Sequence, residues 1–522
     1  MWLEDYSSNH ERGDFNMYIG YDIKNGIEYA KLYVSHRDGE STYKDYQNLG
    51  RVLDKKHGIY QNRERGIFTY NLKTDTYGKA PAEVVPPRRK RKKEPLIVDF
   101  GDAYFLDTYI KNKGLRAAID AIGYGNPDTL NAMVAYYALT SLANCYAKDW
   151  WDGSYARILY PMANLTSQRT SDFFAAIGDE YSQREFFKEY LPFLENMGHQ
   201  TENVVIDSTG LPNSIHFPLT AISNHNGEIS NEVRLIYVVQ QNTGLPIYFR
   251  YCPGNVIDAS TLVRCIAELK EQGINTKFAI LDAGYYCVGN IHELFDNKVS
   301  FITRLKENLK LYKDLVAEHL STLEVKEHFV SYNGRYVFLK CVPCRLDGRP
   351  AYAYLGLDVT RKGSEAQGTM RRAKTKKMSP DQVFDAMQEQ GLFILVSSRR
   401  IAIDKVLPLY YTRQHVEQIF DIGKHYAEFL PLRVHTEETF RGHLLLTFIV
   451  AVVIKMIQDD LRNSNITPMS LFLNLRNQKC KIYDDKIITQ EAFKKARECY
   501  DLFGIKCPIT LPIKNPSSMW LE

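Results

Sequence analysis

The hydrophobic rhythm of the chain changes several times along its length. Residues 1–80 carry short alternating runs such as GIEYAKLYVS and GIFTYNL, rich in tyrosine and glycine. A period of two reads as strands, so these residues are expected to form a small β-rich module. Over 96–200 the apolar positions recur at three- and four-residue spacing, in LRAAIDAIG, TLNAMVAYYALTSLANCYA and SQREFFKEYLPFLEN. That is the pattern of a helical domain. LTSQRTSDFFAAIG has the look of half a helix-turn-helix, but a packing helix is the simpler reading.

From 203 the pattern becomes strand-like. VVIDST, EVRLIYVVQQ and PIYFRYC are β-branched and aromatic, and NTGLP separates the last two. The helix DASTLVRCIAELKEQG follows, then the strand KFAILD, the short helix NIHELFDN and the strand SFITRL. Three meandering strands followed by alternating helix and strand predict an α/β domain with ribonuclease-H-like order, its first part at 201–307. The closing helix is delayed. Residues 308–395 hold the helix KDLVAEHLSTL and the strands HFVSYN, RYVFLKCV and PAYAYLGL, and read as a β-rich insertion. Residues 396–426 supply the strand LFILVSS and, after a stop at Pro408, the closing helix. Residues 427–522 read as mainly helical, with ITLP as a loose extended tail. The longest apolar run, 444–454, lies between His443 and Lys455 and is far short of a bilayer span, so it reads as a buried helix.

Composition bounds the class. With 522 residues, 44% hydrophobic and 25% charged, the chain is a globular protein of roughly three or four domains. Nine cysteines show no framework spacing, and the lone C-x-x-C of Cys341 and Cys344 has no second pair to complete a zinc site. Free thiols in a reducing cytosol are expected. The opening MWLEDYSSNHERGD has no apolar core of a signal peptide. The net charge is +4, yet residues 41–93 hold fourteen Lys and Arg against five Asp and Glu. Within that stretch, 81–95 form a proline-flanked linker, PPRRKRKKEP, with Arg88, Arg89, Lys90, Arg91, Lys92 and Lys93 in an unbroken run. Such a run on an otherwise acidic chain suits a polyanion, and contact with a DNA backbone is the favoured reading over a solvated spacer.

The densest chemistry lies in YYTRQHVEQIFDIGK, residues 410–424. Read as one helix, with Tyr410 at zero, it places Arg413 at ~300°, Glu417 at ~340° and Lys424 at ~320°. One acid, two cations and a phenol then share a face, while Val416, Ile419 and Phe420 supply an apolar one. The plain alternative is a surface helix with an Arg413–Glu417 ion pair. Asp207 in VVIDSTG and Asp282 in FAILDAGYY each close a buried strand, where a carboxylate suits an α/β crevice. Three carboxylates from two strands and a helix are suited to two divalent ions, and an all-oxygen donor set favours Mg2+ or Mn2+.

These motifs carry a resemblance. Tyr410-x2-Arg413-x3-Glu417-x6-Lys424 is similar to the Y-x2-R-x3-E-x6-K signature of DDE transposases from bacterial insertion sequences. IDSTG and LDAGYY resemble the surroundings of that family's two aspartates, as do TGLPIYFRYCPGNVIDASTL between them and LRVHTEETFRGHLLLTFIVAVV after the glutamate. The resemblance covers about residues 95–510. It implies cut-and-paste transposition of an insertion sequence, with Asp207, Asp282 and Glu417 as catalytic residues binding two Mg2+ or Mn2+ ions per site. A nick, a hairpin on the opposite strand, its reopening and joining to target DNA would follow. Tyr410, Arg413 and Lys424 would hold DNA phosphates, and Arg304 and Lys306 lie where they would also touch DNA. A flipped base would stack on Tyr332, Tyr336 or Phe338. The partners would be terminal inverted repeats and target DNA, bound by a homodimer, with 96–200 as a DNA-binding domain, in the bacterial cytoplasm at the nucleoid and away from membranes. A catalytically silent DNA-binding regulator and a ribonuclease-H-like nuclease are the alternative functions.

Neutralising the six cations at 88–93 is expected to weaken DNA binding and to flatten its dependence on salt. An unchanged salt slope in a binding titration would make the linker a spacer.

Overall fold

The computed structural model describes residues 16–38, 41–81, 95–213, 217–223, 229–376, 378–425 and 436–513. Arg88, Arg89, Lys90, Arg91, Lys92 and Lys93 lie outside the described residues. The chain divides into two compact units, Met1–Glu94 and Pro95–Glu522.

The first unit is a six-stranded antiparallel meander of β1 (Asn16–Lys24), β2 (Ile27–Asp38), β3 (Ser41–Asp54), β4 (Ile59–Asn62), β5 (Gly66–Asn71) and β6 (Thr76–Lys79). Asn25 and Gly26, both at positive φ, turn the first hairpin. Asn-Gly accepts that geometry at little steric cost, and the register of β1 and β2 follows from it. The unit has its own small core of Ala30, Leu32, Leu49, Tyr60, Phe68 and Tyr70.

The second unit opens with β7 (Leu96–Asp99) and then a set of helices that includes Pro127–Leu139, Ser167–Ile177 and Glu180–Asn196. A ten-stranded mixed sheet follows. Its strands are β8 (Asn203–Pro212), β9 (Ala221–Ser223), β10 (Ser230–Gln240), β11 (Pro246–Pro253), β12 (Phe278–Leu281), β13 (Ser300–Arg304), β14 (Phe329–Tyr332), β15 (Arg335–Leu346), β16 (Arg349–Asp358) and β17 (Leu392–Ser397). Their order is β11-β10-β8-β12-β13-β17-β16-β15-β14, with β9 paired to β10. The first three are antiparallel, and β8, β12 and β13 run parallel.

The strands of the 308–395 segment extend this same sheet through β17 and make no sheet of their own. The segment also contains the helices Val359–Lys376 and Pro380–Gln388. The first, VTRKGSEAQGTMRRAKTK, is polar along most of its length, with Val359, Ala366, Met370 and Ala373 as its apolar residues.

After the Glu417 region comes the helix Glu437–Asp460, whose residues 442–457 are buried throughout. It is long and apolar enough to cross a membrane, but 94% of its most apolar window is buried inside the fold. It is a core helix. Phe448 stands at ring-centroid distances of 5.7 Å from Tyr190, 5.9 Å from Tyr237 and 5.2 Å from Phe249, and so joins the helices to the sheet. The C-terminal region is less helical than its sequence suggests. β18 (Lys479–Ile482) and β19 (Lys486–Thr489) form a hairpin, and ITLP contributes β20 (Thr510–Pro512) to a four-stranded sheet β20-β19-β18-β7. Strands of three or four residues are too short to show a period.

The helices Ser167–Ile177 and Glu437–Asp460 cross in direct backbone contact. A Cβ on Gly442 would lie 1.9 Å from the Phe174 carbonyl oxygen, and one on Gly178 would lie 1.8 Å from that of Glu438. Alanine at 442 would gain about 1 kcal/mol of helix propensity. Overpacking a rigid backbone contact typically costs about 1–3 kcal/mol, occasionally more, and this contact is well inside van der Waals distance. Gly442→Ala is therefore expected to lower stability and melting temperature in a denaturation experiment. A more stable variant would show that the two helices separate freely.

Candidate active site

The site begins with the parallel pair β8 and β12. Their last paired residues are Ile206 and Leu281. Asp207 and Asp282 are the next residues along, so the two carboxylates occupy equivalent places one step beyond the parallel ladder. β8 continues to Pro212 by pairing with β10, which puts Asp207 inside a strand and not at its end as the sequence suggested. Asp282 lies where β12 turns into the short helix Ala283–Tyr285.

The single helix predicted over 410–424 is two helices, Ile403–Tyr411 and Gln414–His425. Pro408 lies inside the first and does not stop it. The break follows from tight turns at Thr412 and Arg413, whose amide groups donate to the carbonyls of Leu409 and Tyr410. Val416, Ile419 and Phe420 are buried, and Phe420 lies 5.6 Å from the ring of Tyr237 on β10. This packing seats the second helix on the sheet beside Asp207 and leaves Glu417 exposed.

Arg413 stands at the break and joins the three acids. Its Nη1 donates to Asp207 Oδ2 at 2.7 Å and lies 3.6 Å from Asp282 Oδ1. Its Nη2 lies 3.1 Å from Glu417 Oε1. The Arg413–Glu417 ion pair expected of a plain surface helix is thus present, but it is one of three.

Burial is the main reason that the Asp207 carboxyl is pushed up to about 7, with the charges of Asp282 and Asp258 adding to it. Arg413 and the Ser208 amide, which donates to Asp207 Oδ1 at 2.9 Å, oppose the shift and lose. Three carboxylates thus face one guanidinium. Among the described residues, no three His, Cys, Asp or Glu side chains are already grouped as ion ligands. The donor set nonetheless fits a divalent ion: three carboxylates share one cation, and the most buried of them is under-compensated.

The other expected site residues are distributed around this centre. Tyr410 is buried, and burial together with Asp282 raises its phenol pKa. Lys424 falls in the helix Gln414–His425, but its side chain lies outside what is described. Arg304 ends β13 beside Glu307, at 3.4 Å, and its charge acts on Tyr410. Lys306 is half-buried two residues on. Of the three aromatic candidates, Tyr332 stacks on Tyr411 with ring centroids 5.2 Å apart. Tyr336 and Phe338 pack on Phe329 instead.

Sequence reasoning gave no role to Asp258, which accepts hydrogen bonds from Ser208 Oγ at 2.6 Å and Arg234 Nη1 at 2.7 Å. The signal was available: Arg234 is a lone cation in the apolar strand EVRLIYVVQ, and a buried arginine requires an acid.

Residues 198–453 match the family model of the transposase DDE domain. Residues 198–453 are thus a transposase DDE domain, and the protein is a DNA-cleaving transposase; DDE transposases generally use divalent metal ions. No curated protein matches it significantly. Among solved structures, the piggyBac transposase synaptic complex with hairpin DNA is similar over 72% of this chain and 78% of that one, at 11% identity and a TM-score of 0.36. That likeness is too loose to carry an argument.

The Asp207 shift has a thermodynamic consequence in the metal-free protein. Its pKa is about 7 folded against 3.8 for an ordinary aspartate, so between those values the folded state binds more protons. Stability contributed by this group must fall as pH rises from about 4 to about 7. With chelator present, the stability of wild type relative to Asp207→Asn is expected to drop between pH 5 and pH 8 in urea titrations. A constant difference would place Asp207 at an ordinary pKa.

Proposed function

We propose that this transposase performs cut-and-paste transposition, with Asp207, Asp282 and Glu417 as its catalytic carboxylates. The observation that carries the reading is the convergence of all three on the Arg413 guanidinium. The strand order β11-β10-β8-β12-β13, with an antiparallel trio followed by parallel strands, supports a ribonuclease-H-like core. On this reading Asp207 lies in one central strand, Asp282 directly follows the neighbouring one, and Glu417 is on a helix packed over them.

Two Mg2+ or Mn2+ ions held by the three carboxylates would supply Lewis acidity to the attacking and leaving oxygens of phosphodiester displacement. The chain's own residues divide the remaining work. Arg413 neutralises the acids before an ion arrives, and its fork geometry suits a DNA phosphate once they are otherwise engaged. Tyr410, Lys424, Arg304 and Lys306 lie on the segments flanking the carboxylates and would position the backbone of the cleaved strand. The Tyr332–Tyr411 stack is the aromatic pair nearest to Tyr410 in the chain and offers a face for a flipped base. The substrates are terminal inverted repeats and target DNA, paired by a homodimer, with the cations at 88–93 tracking phosphates outside the site.

The test is cleavage of a labelled linear DNA carrying the gene's native flanks, with Mg2+ or Mn2+, beside Glu417→Ala. Discrete metal-dependent cuts at the repeat ends are expected from the intact protein. The variant should bind the same DNA and leave it uncut, a loss of at least about a thousandfold. Binding without cutting by the intact protein would point to a regulator, and scattered cuts to a nuclease.

A further inference from the structure

Behind the two aspartates lies a second, buried layer of polar residues. Asp258 begins the one-turn helix Asp258–Ser260 between β11 and β12. On one side it reaches the Asp207 strand. Ser208, whose amide bonds to Asp207, donates its hydroxyl to Asp258 Oδ1 at 2.6 Å. Arg234, on the neighbouring strand opposite Gly210, donates to the same oxygen at 2.7 Å. Arg234 is only 4% exposed and also donates to the carbonyl oxygen of Gly254 at 3.3 Å, so its charge is committed to this layer.

On its other side the same turn reaches the segment that follows Asp282. A Cβ on Gly284 would stand 2.8 Å from Asp258 Oδ2, so glycine is what lets the Asp282 turn close on this carboxylate. The Asn290 side chain, 3% exposed, donates to the carbonyls of both Ala259 and Tyr285 at 2.7 Å. Residues 258–260 therefore hold β8 by one hydrogen bond and the Asp282 turn by the Asn290 bridge and the close approach of Gly284.

We infer that Asp258 is a positioning residue: its turn ties the strand of Asp207 to the turn of Asp282 and fixes the separation of the two aspartates. The inference rests on the reading that these aspartates hold metal. β8 and β12 no longer pair beyond Ile206 and Leu281, so the backbone ladder does not set the distance between the next two residues. The Asp258 layer supplies a direct tie, beside the pairing of Asp207 with Tyr237 on β10 and the Thr303 hydroxyl that donates to the Asp282 carbonyl. A carboxylate is needed because it accepts from a hydroxyl and a guanidinium at one oxygen while balancing a buried cation. Removing the acid would leave Arg234 with Glu232, whose Oε1 lies 3.9 Å away.

The test uses the full chain without DNA and follows Mn2+ binding by calorimetry. Ser208→Ala removes the hydroxyl, with its bond to Asp258 and its contact with the Tyr285 phenol, and keeps the Arg234 ion pair. It is expected to keep its melting temperature while binding Mn2+ about tenfold more weakly, the scale of supporting contacts around metal ligands. Ser208→Thr, which keeps a hydroxyl, is expected to restore binding, and Asp258→Asn to lose more than Ser208→Ala. A purely structural role would move stability and leave affinity at constant fold unchanged. Ser208→Ala with the wild-type affinity overturns the inference, whether or not Asp258→Asn folds. Wild-type protein that binds no Mn2+ overturns the metal reading itself, and this inference with it.

Discussion

A buried carboxylate must have a partner, and the second unit of this protein is arranged around supplying one to Asp207. Burial raises the energy of that charge, and Asp282 and Asp258 raise it further. Arg413 answers from the break between two helices, close enough to touch Asp207 and Glu417 and to face Asp282. One guanidinium faces three carboxylates, a donor set that fits a divalent cation. Sheet order, helix break and buried second layer each serve the same balance.

The scaffold makes that balance rigid. Parallel pairing stops just before the two aspartates, so neither is tied into the β8–β12 ladder, although Asp207 still pairs with Tyr237 on β10. The helix Glu437–Asp460 crosses behind the sheet at backbone distance from its neighbour and fills the gap with Phe448. The same sheet runs on through β17 to β14 and places Tyr332 against Tyr411, next to the buried Tyr410. The strands of the 308–395 segment are therefore one continuous sheet with the strands that carry Asp207 and lead to Asp282.

Much of this was legible in the sequence where burial leaves a period. VVIDST, EVRLIYVVQQ, PIYFRYC, KFAILD and SFITRL are β8, β10, β11, β12 and β13, because strands covered on both faces must be apolar. Legibility failed where a segment is polar or short, as in Val359–Lys376 and in β18 to β20. It failed differently at Arg413. A helical wheel placed it on one face with Tyr410 and Glu417, whereas the chain breaks there, and the break lets the guanidinium reach two strands as well as its own helix. Asp258 was hidden because its meaning lies in Arg234 and Gly284, which are distant in sequence and decide nothing until the fold brings them together.

The pairing of β7 with β18 joins the start of the second unit to a strand almost four hundred residues later, and the Lys479–Asp99 ion pair at 2.5 Å lies in the same ladder. During synthesis, β7 therefore waits with an unpaired edge until nearly the whole chain has been made. Loop closure over such a distance is slow, and edges left open meanwhile can pair wrongly. Completion of the fold is thereby linked to completion of translation: a product cut short before residue 479 would retain its carboxylates and lack the clasp that closes the body bearing them.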